Sequence, residues 1–291
     1  MTRRELILFM ASGPLLTGNP GPKDFAEQSF QGRRVFKIAG SGPPVLFLHE
    51  LPGLITEAFE LARRLNDHGN GYTVYLPLFF GQPEQKGFFT DISTELFRTP
   101  CWSQDFHCFS DHSLGKAVDW AAAYCVEIDR LHNHAGLAVI GNCLTGGFPV
   151  ALAARPAVAK VLRCAVASQP ALPMGPFGAP LSTAGKAALG LTTDELNAAI
   201  ASKIPFLALR FDNDKLVPSD RLDGLERAFK EKHGNFDYYR VPHDAHCSTS
   251  HSGHNHAVLT LGYCPDPKSG GRLAYLRLKA FLDKYLKGTD K

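Results

Sequence analysis

The sequence predicts an α/β protein built on a doubly wound, mostly parallel sheet with helices on both faces. Three observations carry this expectation. Short apolar runs alternate with helix-length segments through most of the 291 residues. The run Val45-Leu46-Phe47-Leu48 is apolar without interruption, as in a strand covered on both faces. The order that follows is strand, helix, strand, which implies a parallel pair joined by a crossover.

In chain order, residues 1–33 read as an irregular N-terminal extension, rich in Gly, Pro and polar residues from residue 11. Residues 34–291 read as a single domain. Its first strand is Arg34 to Ala39, and Gly40-Ser41-Gly42-Pro43-Pro44 turns the chain into Val45 to Leu48. A helix from Thr56 to Asn66 places Phe59, Ala62 and Leu65 on one face, and Tyr72 to Leu76 is a strand stopped by Pro77. Residues 78–115 are a long aromatic insertion, too long for a plain connection and expected to cover something. Ala117 to Ile128 is helical, Leu137 to Ile140 a strand, and Leu144 to Ala154 a helix in which Pro149 must lie near the start. Val161 to Ala167 is a strand. A second insertion, 174–203, holds a helix opened by a Thr192/Glu195 capping box. Ile204 to Arg210, Ser219 to Lys230, Phe236 to Val241 and Arg272 to Leu286 complete the alternation.

The bulk numbers exclude several classes. Hydrophobic residues at 44% and charged residues at 20% are ordinary for a globular enzyme. A net charge of +3 comes from interleaved signs, so no nucleic-acid partner is expected. No run approaches the ~18 apolar residues of a membrane span. Glu5 and Gly13-Pro14 interrupt the N-terminal apolar stretch, which argues against a signal peptide. The seven cysteines (101, 108, 125, 143, 164, 247, 264) lack C-x-x-C spacing and are odd in number, so a reducing, cytoplasmic setting is expected.

Chemistry concentrates at Val139-Ile140-Gly141-Asn142-Cys143-Leu144-Thr145-Gly146-Gly147. A buried strand runs into small residues, presents one cysteine and re-enters an apolar helix. That is the pattern of a nucleophile elbow, in which a sharp turn strains one side chain into an exposed position. Thr145 stands where the usual G-x-S-x-G pattern has glycine. The other six cysteines read as small hydrophobes. A thiol nucleophile needs a base and a group to orient it, both from the carboxyl ends of later strands. Asp214 and its neighbour Asp212 are the candidate acids. The loop after the last strand offers His243, His246, His251, His254 and His256 as candidate bases. Those histidines and Cys247 match no H-E-x-x-H or paired C-x-x-C spacing, and no metal site is expected.

Together these residues resemble the dienelactone hydrolase family of α/β-hydrolases, from about Val45 to Leu286. The resemblance rests on His49-Glu50-Leu51-Pro52-Gly53, Tyr75-Leu76-Pro77, the elbow itself, Arg210-Phe211-Asp212-Asn213-Asp214 with Pro218, and His256-Ala257-Val258-Leu259-Thr260. It implies an α/β-hydrolase fold with Cys143 as nucleophile, Asp214 as orienting acid and a late histidine as base. His256 opens the last motif, 25 residues before Phe281, and fits the family spacing. His246 is the alternative, since Pro242-His243-Asp244-Ala245-His246 also resembles a family pattern. Glu50 is implied to contact the resting cysteine and manage its proton, and the backbone N–H groups of Leu51 and Leu144 to form the oxyanion hole. The family's two substrate-binding arginines fall at Gln82 and Thr260, so dienelactone itself is not the implied substrate.

A sulfur nucleophile narrows the substrate class. The tetrahedral intermediate expels the better leaving group, and a thiolate, whose thiol has a pKa of about 8.5, departs before an ordinary alkoxide. Enol-ester lactones, aryl esters and thioesters escape this limit. The expectation is a cofactor-independent hydrolase of an activated small-molecule ester or lactone. Its rival is a non-catalytic ligand-binding protein on the same fold, suggested by the off-pattern Thr145. Oligomeric state leaves no mark in the sequence.

Overall fold

A computed structural model describes residues 21–84, 105–174, 187–243 and 256–288. Among the described residues, eight strands form one sheet: β1 (Ala26–Phe30), β2 (Arg33–Ile38), β3 (Gly42–Leu48), β4 (Tyr72–Pro77), β5 (Leu137–Asn142), β6 (Leu162–Ser168), β7 (Phe206–Phe211) and β8 (Phe236–Val241). Their spatial order is β1-β2-β4-β3-β5-β6-β7-β8. The first two pairings, β1 with β2 and β2 with β4, are antiparallel, and the remaining five are parallel. The order reverses about β3, so the carboxyl ends of β3, β5, β6, β7 and β8 share one edge, where ligands bind in open α/β sheets.

Among the described residues, seven α-helices cover the sheet: α1 (Thr56–Asn66), α2 (Lys116–Leu131), α3 (Phe148–Ala153), α4 (Pro156–Ala159), α5 (Thr193–Ala201), α6 (Ser219–Glu231) and α7 (Gly270–Lys287). Strand alternation explains why both faces need them. Val45 and Phe47 point to one core with α1 and α7, while Leu46 and Leu48 point to the other with α2, α3 and α6. The uninterrupted apolar run is therefore two interleaved half-cores, each sealed by its own helices.

The expected irregular extension, 1–33, is corrected at its C-terminal end, because Ala26–Phe30 is the edge strand β1. Its hydrophobic signal is weak, since mostly polar residues alternate there and only the pairing to β2 defines it. The two-residue turn Gln31-Gly32, with φ of 45° and 79°, has the left-handed geometry of a tight hairpin. The helix expected from Leu144 is also shorter. A 3-10 turn, Cys143–Thr145, comes first, and α3 starts at Phe148 with Pro149 in its first turn, where a missing N–H breaks no bond. The Thr192/Glu195 capping box forms as expected, with Glu195 N–H donating to Thr192 Oγ1 at 3.1 Å.

Of the described aromatic residues in the 78–115 insertion, Phe79 and Phe106 are buried, whereas Phe109 is exposed. Phe79 meets Phe106 and Trp120 edge-on, each at 5.6 Å between centroids, and Phe106 stacks on Phe148 at 5.8 Å. Phe88, Phe89, Cys101 and Trp102 lie outside the described residues. Cys108, Cys125 and Cys164 are buried and not disulfide-bonded, as expected of small hydrophobes. Cys264 is not: it is disulfide-bonded. No helix among the described residues is long and apolar enough to cross a membrane.

Phe59 locks α1 to the sheet, fully buried and edge-on to Phe25 at 5.0 Å and Phe36 at 5.6 Å. Phe59→Ala should lower unfolding stability by about 3–5 kcal/mol in urea titration, and Phe59→Leu by distinctly less.

Candidate active site

The elbow forms at the end of β5. Asn142 is extended at φ −126°, Cys143 turns to φ 52°, and the chain continues as the short 3-10 turn. A left-handed cysteine is a strained conformation that persists only where the surroundings fix it. Two close approaches fix it. A Cβ on Gly141 would sit 2.2 Å from Thr145 O, and one on Gly146 would sit 2.5 Å from Pro170 Cα. Glycine is thus required two residues before and three after the cysteine.

At the intervening position, Thr145 does what glycine cannot. Its hydroxyl accepts the Asn142 N–H at 3.0 Å and donates to Leu48 O at 2.8 Å, with His49 O and Asn142 O at 3.2 Å. The side chain is fully buried. It therefore ties the end of β5 to the end of β3 at the turn itself.

His256 reaches the elbow from the segment before α7. It is 2% exposed, and its Nδ1 lies 2.8 Å from Asp214 Oδ2. The Cys143 sulfur acts electrostatically on the same imidazole. Burial alone pulls the imidazole pKa down. The adjacent sulfur and the Asp214 carboxylate outweigh it and hold His256 well above its ordinary value. Asp214 follows β7, and its Oδ1 accepts the N–H groups of Leu216 at 2.8 Å and Val217 at 3.1 Å, which aims Oδ2 at the histidine. Asp212, the competing acid, instead accepts the His243 N–H at 3.2 Å on the surface. His246, the competing base, lies outside the described residues, as do His251 and His254.

No protein-family model and no curated protein sequence matches the chain. Solved structures do. A candidate dienelactone hydrolase from Klebsiella pneumoniae is 17% identical, superposes with a TM-score of 0.57 and covers 91% of this chain and 98% of its own. An esterase from Pyrococcus furiosus is 14% identical with a TM-score of 0.56, covering 94% and 97%. Esterase 2 of Thermogutta terrifontis, seen phosphonylated by sarin, is 11% identical with a TM-score of 0.54, covering 91% and 96%.

The chain has the α/β-hydrolase fold. Within that fold the described residues place Cys143, His256, Asp214 and Glu50 at one edge of the sheet. Glu50 follows β3 and is 1% exposed. Burial raises its pKa to about 7, against the pull of the Thr260 hydroxyl, the His256 charge and the Asn142 amide. Thr260 Oγ1 donates to Glu50 Oε1, whereas Oε2 has no hydrogen-bond partner among the described residues. Of the two positions aligned with the family's arginines, Thr260 is thus committed to Glu50, and Gln82 is exposed. Leu51 and Leu144 are both buried.

Several residues that hold this edge of the sheet carried no functional signal of their own, although Arg210 opens one of the motifs behind the resemblance. Arg210, at the end of β7, donates from Nε to Val217 O at 2.8 Å and from its two terminal nitrogens to Asp212 O at 3.2 Å and Asp214 O at 2.7 Å. It fastens the loop that presents Asp214. Arg221 does the same for the loop after β6, donating to Pro170 O at 2.8 Å and Pro173 O at 2.7 Å. Ala171 N–H in that loop bonds Cys143 O at 2.9 Å. A buried arginine in an otherwise apolar strand end, as in Ala208-Leu209-Arg210-Phe211, is the one signal that could have flagged the first.

Two outcomes follow from this geometry. Thr145→Val should lose about 1–3 kcal/mol of stability in chemical denaturation, since Asn142 N–H and Leu48 O are left buried without the hydroxyl, while Thr145→Ser keeps most of it. Glu50 binds its proton more tightly folded than unfolded, so its contribution is fully present below about pH 4.5 and lost as pH rises through about 7. Comparing wild type with Glu50→Gln across that window should show the wild type falling behind by on the order of 3 kcal/mol. Parallel stability curves would refute the shift.

Proposed function

We propose that the chain is a cofactor-independent hydrolase that cleaves an activated carboxylic ester or lactone through a thioacyl intermediate on Cys143, with His256 as base and Asp214 as its orienting acid. The observation that carries this reading is the contact of 2.8 Å between His256 Nδ1 and Asp214 Oδ2 at the carboxyl edge of the sheet, with the Cys143 sulfur acting on the same imidazole. The esterases and the candidate dienelactone hydrolase that share the fold favour ester chemistry over other uses of such a trio.

The sulfur attacks the substrate carbonyl carbon while the thiol proton rests on His256, and the carbonyl oxygen becomes an oxyanion. The N–H groups of Leu51, after β3, and of Leu144, next to the nucleophile, are assigned to that oxygen. The intermediate collapses, the bond to the leaving oxygen breaks, and that oxygen takes the His256 proton. Water then attacks the thioester with His256 as base, releasing the acid and restoring the thiol. Glu50, buried and titrating near 7, is assigned to hold a proton beside the pair at neutral pH. Because the thiolate competes as a leaving group, the substrate class is enol-ester lactones, aryl esters or thioesters.

Cys143→Ala should reduce p-nitrophenyl ester hydrolysis by at least about 1000-fold, and quenched wild-type reactions should show the acyl mass on the Cys143 peptide. His256→Ala should fall comparably and His246→Ala should not. Undiminished turnover in Cys143→Ala would end the assignment and leave a binding role on the same fold.

A further inference from the structure

Gln169, the first residue past β6, has three properties that the chemistry above does not use. It is fully buried, its backbone is left-handed at φ 32°, and its side chain bridges the two halves of the site. Oε1 accepts the Val258 N–H at 3.3 Å and the Ser168 hydroxyl at 2.5 Å, and Nε2 donates to Asn142 Oδ1 at 2.8 Å. Val258 lies two residues after His256, and Asn142 immediately precedes Cys143.

The polarity of this bridge is not arbitrary. A backbone N–H can only donate, so Val258 forces Oε1 toward itself and Nε2 toward Asn142. Asn142 must then present Oδ1 to Gln169, which leaves its Nδ2 as a donor on the side of Glu50. That amide favours the Glu50 charge without meeting hydrogen-bond geometry, and Asn142 Nδ2 and Glu50 Oε2 are each unpartnered among the described residues. Thr260, two residues beyond Val258, ties the histidine segment to Glu50 Oε1. The ends of β3, β5 and β6 and the histidine segment are thereby joined by buried side chains under the site. A left-handed glutamine in the interior is a strained choice, retained where the surroundings over-determine it.

We propose that Gln169 is a positioning residue for the Cys143–His256 pair: its amide fixes the nucleophile's strand end against the histidine's segment and so sets the alignment of sulfur and imidazole. The inference rests on the reading of that pair given above and adds a residue that acts through it without touching substrate.

The test is iodoacetamide alkylation of Cys143 against pH, from about 5 to 9, in wild type, Gln169→Met, His256→Ala and the double variant. Gln169→Met should slow alkylation near neutral pH by about 10- to 100-fold and move the profile toward that of His256→Ala. The double variant should then match His256→Ala alone, because a residue that acts through the histidine has nothing left to align. Gln169→Gly, which relaxes the backbone while deleting the bridge, should reproduce the Met result. An equal loss in both backgrounds, no loss at all, or failure of both Gln169 variants to fold would assign the residue a structural role and overturn the proposal. If His256→Ala itself leaves the profile unmoved, the Cys143–His256 reading falls first and this inference with it.

Discussion

Everything at the site depends on how closely two stretches of backbone meet at the end of β5. Gly141 has the carbonyl of Thr145 and the ring of Pro149 against the place where a Cβ would be, and Gly146 has Ser168 and Pro170. With no side chain between them, strand, turn and the loop after β6 close into contact, and the only course left for residue 143 is the left-handed one. Thr145 then fastens the turn to β3 through its hydroxyl. The elbow is held by packing on two sides and by one hydrogen-bonded side chain on the third, so its strain is sustained by the whole carboxyl edge of the sheet.

The same edge gathers loops whose carbonyls have lost their strand partners, and buried carbonyls require donors. A buried arginine has the converse requirement. Arg210 and Arg221 meet both at once, each cation spread over backbone oxygens of a loop that carries or touches a site residue. Arg64 repeats the device from α1. Stacked 3.8 Å over Tyr263, it donates to Leu259 O at 3.3 Å, in the segment that begins at His256. Guanidinium suits this task because its donors are fixed in a planar fork and its charge is less strongly hydrated than an ammonium.

What the sequence made legible follows from which signals are local. Strand β3, helix α1 and the Thr192 cap announce themselves within a few residues, by an apolar run, a helical face and a Thr–Glu pair. The elbow was legible because its small residues are neighbours in the chain. Asp214 over Asp212 could be favoured but not decided, since the choice depends on Leu216 and Val217 N–H groups orienting one carboxylate. His256 was chosen by resemblance, and the Asp214 contact that favours it spans 42 positions. The roles of Arg210, Arg221 and Gln169 were not legible, although Arg210 opens one of the motifs behind the resemblance. Their partners are backbone atoms and buried side chains brought together by the sheet order, which no spacing rule encodes. Strand β1 was missed for the opposite reason: its pattern is local but mostly polar, and only an edge position makes such a strand stable.

His49 and Glu50 show how one physical cause yields two different groups. Both are buried at the end of β3, and for both burial disfavours the charged form. For the histidine this means a pKa lowered to about 4, and for the glutamate one raised to about 7. His49 Nε2 accepts the Phe79 N–H at 3.0 Å, which fixes the proton on Nδ1, from where it donates to Glu50 O at 2.8 Å. It is a neutral lock on the turn, inert across the working range of pH. Glu50 has one oxygen bonded by Thr260 and the other unpartnered among the described residues, so its carboxyl remains poised between two states. The turn thus keeps its shape through one residue and its capacity to exchange a proton through the next. On the proposed reading of Cys143 as a nucleophile, a proton-holding Glu50 needs this separation, because a carboxylate that also held the backbone in place would alter the turn each time it titrated.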